Sequence, residues 1–153
     1  MSVRIHRQVV ADELDDPALT AAVQAALAHA GEAHKCVDVV LVDDATLAGL
    51  HDRFLDDASP TDVIAFDLGD PEDDDEPSGE VYVSVDRARD VAERRGVRVA
   101  RELALYCVHG TLHLVGFDDI DAADRERMRA AEQVVMRSLG YADDRAPHDT
   151  NDE

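Results

Sequence analysis

The order of apolar and polar positions divides the chain into four predicted strands and five predicted helices. Continuous β-branched or alternating segments are typical of strands, and apolar positions at helical spacing between capping and breaking residues predict helices. Strands are predicted over 3–10, 36–42, 61–68 and 80–85. Helices are predicted over 17–30, 45–55, 86–95, 98–115 and 122–139. The order β-α-β-α-β-β-α-α-α predicts a single α+β domain: a small mixed sheet of about four strands packed with about five helices.

Capping and breaking residues set the predicted helix ends. Pro17 lies in the first turn of the first helix and Gly31 ends it, while Asp43 or Asp44 caps the second. Asp121 caps the last helix. Glycines 96, 116 and 140 end the last three helices. The long loop between the third and fourth strands is compatible with a hairpin.

Composition and charge refine this picture. The chain has 153 residues, 45% of them hydrophobic, and a net charge of −20. The acid is concentrated: residues 70–80 hold seven acidic side chains and no basic one, and the segment from Asp143 to Glu153 holds five more. We therefore expect one domain over 1–140 with an inserted acidic loop at 69–79, followed by a disordered acidic tail at 141–153. Such a charge argues against unspecific nucleic-acid binding.

The expected cellular compartment follows from the absence of membrane-spanning and signal segments in the sequence. No apolar segment approaches the roughly 20 residues of a membrane span, and the first residues contain no apolar signal region. Cys36 and Cys107 lie in apolar stretches and are predicted to be core residues. Two cysteines do not form a disulfide framework. We expect a cytoplasmic protein with no membrane partner and no nucleotide cofactor, and nothing in the sequence demands more than a monomer.

A divalent-metal site is predicted in the segment HGTLHLVGFDD. His109 and His113 are four residues apart, so a helix places both imidazoles on one face. Gly116 allows the chain to turn, and Asp119 can return as a third ligand. Two imidazoles and a carboxylate suit catalytic zinc, which keeps one position for water and lowers the pKa of that water to yield a nucleophile. Asp118 and Asp121 compete with Asp119 for the third position.

The same spacing occurs in the zinc-protease motif HExxHxxGxxH, but position 110 is glycine instead of the glutamate that acts there as general base. This argues against a peptidase. Cys107 is about 200° around the helix from His109 and is expected to face away from the metal. Glu102 is predicted to form an ion pair on the helix surface. The alternative is that Glu102 supports the metal site.

Six arginines lie between residues 86 and 101, just before the metal motif. The simplest interpretation is a solvated helix face. Phosphate binding is the alternative, and Arg94, Arg95 and Arg98 are its candidate residues.

The string HGTLHLVGFDD resembles the HGxLHLxGxDH signature of the YbeY family of bacterial metal-dependent rRNA maturation factors. SPTDVIAFDL and SGEVYVSVDRARDVA are similar to two further blocks of that family, in the same order. The resemblance covers residues 37–139. It implies a single-strand endoribonuclease acting in 3′-end maturation of small-subunit (16S) rRNA and in ribosome quality control. It also implies one Zn²⁺ per chain, with His109 and His113 as ligands.

Two positions depart from the family pattern. The family's third histidine falls on Asp119, whose negative charge should make a bound water less acidic. An arginine that the family carries falls on Leu55; such an arginine would hold a phosphate and stabilise transition-state charge. Arg53, two residues away, is the weak candidate to replace it.

Two other functions compete with the nuclease. One is a non-catalytic ribosome-assembly factor with a structural metal, which would dock its acidic surface on basic ribosomal proteins. The other is a small metallohydrolase or peptidase, which Gly110 disfavours.

Overall fold

A mixed four-stranded sheet lies at the centre of the fold. In a computed structural model, which describes residues 2–55, 62–69 and 77–141, the strands follow the order β1-β2-β4-β3. Their bounds are β1 Ser2–Arg7, β2 Cys36–Val42, β3 Val63–Asp67 and β4 Gly79–Ser84. β1, β2 and β4 are parallel, and β3 pairs antiparallel with β4. The predicted hairpin pairing is therefore confirmed, as is the mixed sheet.

Five helices accompany the described strands. Their bounds are α1 Asp16–His29, α2 Asp44–Leu55, α3 Val85–Arg95, α4 Val99–Leu114 and α5 Ala122–Ser138. The predicted α+β class and element order are confirmed. Asp43 caps α2, since its side chain accepts a hydrogen bond from the backbone N–H of Thr46 at 2.7 Å. Asp121 caps α5 as predicted.

The first strand is shorter than predicted. It ends at Arg7 rather than continuing to Val10, which is exposed. The Arg7 guanidinium donates hydrogen bonds to the carbonyls of Ala11 and Leu14, and this holds the chain in the turn that leads to α1. A side-chain contact of this kind ends the strand although the sequence pattern would continue it.

The two faces of the sheet are covered unequally. One face, with α1, α3, α4 and α5, forms the large core, whereas Leu47 of α2 packs with Val40, Val42 and Ile64 in a smaller cluster. The central element is α4, in which every residue from Arg101 to Leu112 is buried. Because other elements surround it, this helix is buried on all sides and has no solvated face over that length.

Two glycines bring the C-terminal half of α4 close to the sheet. A Cβ at Gly110 would lie 2.6 Å from Val81 Cγ1 and 2.9 Å from Val63 Cγ2. A Cβ at Gly79 in β4 would lie 2.7 Å from Leu114 Cδ1. Glycine at these two positions therefore sets the distance between α4 and the strands beneath it, and with it the placement of the last two helical turns.

Within the ranges that the structure describes, no helix is long and apolar enough to cross a membrane. Cys36 and Cys107 are both buried, as expected of core residues. Most of the predicted acidic loop and nearly all of the predicted tail lie outside the described residues, so the division into domain, loop and tail stays a prediction.

Candidate metal centre

The last turns of α4 bring two histidines together. His109 and His113 have ring centroids 4.6 Å apart, and their Nε2 atoms are separated by 3.1 Å. His109 is almost fully buried, whereas about a third of the His113 side chain is exposed. The helical spacing that predicted a common face is confirmed, and both Nε2 atoms point toward one position.

Asp119 completes the group after the helix has ended. Gly116 adopts a positive φ of 102°, which lets the chain reverse after α4. Asp119 Oδ2 then lies 3.7 Å from His109 Nε2 and 3.6 Å from His113 Nε2. The two competing carboxylates are used elsewhere: Asp118 accepts from the backbone N–H of Asp119, and Asp121 caps α5.

The spacing and chemistry of the three facing atoms suit a metal ion. They form a nearly equilateral triangle with sides of 3.1, 3.6 and 3.7 Å. A point equidistant from such corners lies about 2.0 Å from each atom, which matches zinc–nitrogen and zinc–oxygen bond lengths. His109, His113 and Asp119 are also the group of potential metal ligands found among the described residues. The partial exposure of His113 and Asp119 leaves one side open to solvent, as catalytic sites require.

Glu132 of α5 contacts the buried histidine, and this residue was not predicted from the sequence. Its Oε2 is hydrogen-bonded to His109 Nδ1, and both side chains are almost completely buried. A carboxylate on Nδ1 fixes the ring orientation and makes Nε2 the nitrogen that would bind a metal. One signal was available: Glu132 interrupts the apolar stripe formed on α5 by Met128, Ala131, Val135 and Met136.

The predicted ion pair of Glu102 is present, but its predicted location on a helix surface is wrong. Instead of lying on a helix surface, Glu102 is completely buried, since α4 is enclosed by other elements. Its carboxylate accepts from the Arg101 guanidinium and lies 3.9 Å from Arg95 Nη1. Burial lowers the pKa of Arg101, while the neighbouring Glu102 carboxylate raises it. The solvated-face interpretation of the arginine segment is therefore also wrong for Arg95 and Arg101.

Arg98, one of the arginines predicted for phosphate binding, lies far from the histidines along α4. Arg98 immediately precedes α4, eleven residues before His109, or about 16 Å along the helix axis at 1.5 Å per residue. Its guanidinium lies 5.8 Å from the centre of the Tyr141 ring. Arg94 is exposed and pairs with Asp90 at 3.2 Å. A substrate role for these residues and for Arg95 stays a prediction.

Arg53, the candidate to replace the family arginine, lies exposed in the last turn of α2. The Leu55 side chain and residues 56–61, which contain the Ser-Pro-Thr segment, are outside the described part of the chain. Replacement of the family arginine by Arg53 therefore stays a prediction as well.

Comparison with known proteins identifies the family. The family model described as endoribonuclease YbeY matches residues 4–140. The chain belongs to this family. It is 41% identical to endoribonuclease YbeY of Desulfitobacterium hafniense over 113 residues, covering 68% of this chain and 71% of that protein. It is 35% identical to the Carboxydothermus hydrogenoformans member, covering 80% and 84% of the two chains. The Frankia alni member is 32% identical, with 93% and 84% covered.

The fold has a counterpart among solved structures. The solution structure of a Thermotoga maritima protein superposes with a TM-score of 0.62 and covers 96% of this chain and 99% of its own. At 21% sequence identity this similarity bears on the fold alone. This similarity agrees with the mixed sheet and the five helices described above for this chain.

Proposed function

We propose that this protein is a zinc-dependent single-strand endoribonuclease that acts in 3′-end maturation of small-subunit (16S) rRNA and in ribosome quality control. The observation that carries the proposal is the triangle of His109, His113 and Asp119 in a chain of the YbeY endoribonuclease family. The relatives are named as endoribonucleases, which are hydrolases of RNA phosphodiester bonds.

His109, His113 and Asp119 would hold one zinc ion. Zinc at this position supplies Lewis acidity toward a phosphoryl oxygen and lowers the pKa of water. His109 forms the buried, rigid side of the site, and Glu132 orients its ring. His113 and Asp119 form the side that is open to solvent, where a phosphodiester could approach. Asp119 adds a negative charge that a third histidine would not, so we expect a weaker electrophile than a three-histidine site.

The proposed partners are rRNA within the small ribosomal subunit and the ribosomal proteins near it. The net charge of −20 disfavours unspecific RNA binding and suits docking on basic ribosomal proteins. Binding of substrate RNA would then depend on local positive charge, from the metal and from arginines such as Arg53, rather than on the whole surface. We further propose a cytoplasmic monomer.

The experiment combines metal content with RNA cleavage. Elemental analysis of the purified protein is expected to find about one zinc per chain, and His113→Ala and Asp119→Ala should each lose it. Both variants should also stop cutting a single-stranded rRNA fragment that spans the 3′ end. Glu126→Ala is the control and should keep both properties, because Glu126 is exposed on α5 and lies outside the group of potential metal ligands. Zinc-loaded protein that leaves this RNA intact, when a known nuclease cuts it, would contradict the proposal.

A second candidate function is a non-catalytic assembly factor that keeps the metal for structure. The strongly acidic charge and leucine at position 55 favour it. The two functions differ in the cell: a His113→Ala protein that still folds should block rRNA maturation if the protein is a nuclease, and should support maturation if the metal is structural. The peptidase alternative is disfavoured further, because the close contact of Gly110 with Val63 and Val81 leaves no space for a glutamate.

A further inference from the structure

A group of buried charges extends from the metal centre into the protein. Glu132 and His109 are exposed by only 1% and 3%, and they are hydrogen-bonded to each other. Arg101, exposed by 6%, interacts electrostatically with Glu132 and donates to the fully buried Glu102. Arg95 Nη1 of α3 lies 3.9 Å from Glu102 Oε1. Three helices therefore contribute ionisable side chains to one buried region behind the histidines.

A carboxylate buried as completely as Glu132 requires compensation. Removing an ionised carboxylate from water is costly unless it is paired and hydrogen-bonded. One oxygen, Oε2, meets His109 Nδ1, whereas Oε1 is buried and has no hydrogen-bond donor among the described residues. A neutral side chain of similar size would fill the same space at lower cost, so this carboxylate calls for an explanation other than packing.

Arg101 carries positive charge in the same region. It donates to Glu102, and the charges of Glu102 and Glu132 raise the pKa of Arg101 against the larger lowering caused by burial.

We propose that Glu132 is a positioning residue of the metal centre, acting through His109. The inference rests on the metal centre of the proposed function. Glu132 accepts the Nδ1–H, so the lone pair of Nε2 is directed at the position shared with His113 and Asp119. A negative charge behind the ring also makes Nε2 a stronger donor to a cation.

Zinc affinity of Glu132→Gln, measured by competition with a chelator, tests the proposal. Glutamine keeps the size and an acceptor oxygen but loses the charge, and the expected loss in affinity is roughly 10- to 100-fold. Glu126→Gln is the matched control on an exposed position of the same helix and should bind zinc as the unaltered protein does. Unchanged affinity in a folded Glu132→Gln variant would overturn the proposal.

A measurement on the unaltered protein covers the case in which Glu132→Gln does not fold. Long-range proton–nitrogen NMR spectra of the metal-free protein report the tautomer of each histidine. His109 should carry its proton on Nδ1 and present an unprotonated Nε2. A proton found on Nε2 instead would refute the positioning role without any substitution.

These outcomes are separable from the proposed function: zinc-binding protein that cuts no RNA contradicts the nuclease and leaves the role of Glu132 intact. RNA cleavage together with an unaffected Glu132→Gln site contradicts only the positioning role.

Discussion

Replacing Gly110 by alanine should destabilise the protein, although alanine is the better helix former. Gly110 lies inside α4, where glycine costs about 1 kcal/mol relative to alanine. On helix propensity alone, the substitution would stabilise the fold. The added methyl group, however, would lie 2.6 Å from Val81 Cγ1 and 2.9 Å from Val63 Cγ2. Both distances are shorter than carbon atoms tolerate, so the neighbours or the helix must move.

The magnitude follows from which neighbours are in contact. Valine is stiff at χ1, and Val81 is fully buried, so neither methyl group can turn away easily. Overpacking of this kind costs about 1–3 kcal/mol. After the propensity gain is subtracted, two simultaneous contacts place the expected net loss at about 1–2 kcal/mol. For a chain of this size, each kcal/mol corresponds to about 2–4 °C in melting temperature.

Urea and thermal unfolding of Gly110→Ala measure this loss, with Gly49→Ala as the matched control. Gly49 lies within α2, and a Cβ there would meet nothing within 4 Å, so alanine should stabilise the protein by up to about 1 kcal/mol. Zinc affinity should also fall in Gly110→Ala, because a displaced helix moves the histidines on either side of residue 110. A Gly110→Ala protein as stable as Gly49→Ala would refute the close approach of α4 to the sheet.

Three further predictions concern a helix cap, a buried thiol and a surface ion pair. Asp121→Ala should lower the free energy of unfolding by about 1 kcal/mol through loss of the α5 cap, with zinc content by elemental analysis unchanged. Burial raises the pKa of the Cys107 thiol to about 12, so a thiol reagent should modify it only after denaturation, as mass spectrometry of the labelled peptide will report. Rapid labelling of the native protein would contradict this burial. The hydrogen bond from Arg89 lowers the pKa of Glu13. Its contribution to stability is therefore present at neutral pH and lost as the pH falls through that lowered pKa. Glu13→Gln should lower the melting temperature at neutral pH by the equivalent of less than about 1 kcal/mol, and a difference that persists in strong acid would contradict the assignment.

Local geometry explains why much of this protein could be predicted from its sequence. The spacing of His109 and His113 determines their common face because a helix repeats every 3.6 residues. The cap at Asp121 and the turn at Gly116 depend on neighbouring residues alone, and both are where the pattern predicts them. The order of strands and helices follows from similar local signals.

The tertiary structure decided the features that depend on contacts between elements. Asp119 rather than Asp118 meets the histidines because the loop after α4 turns its side chain toward them. Glu102 is buried because helices from distant parts of the chain enclose α4. Glu132 meets His109 only through the packing of α5 on α4, 23 residues along the chain. Sequence spacing determines which side chains share a face of one helix, whereas packing alone determines what that face meets.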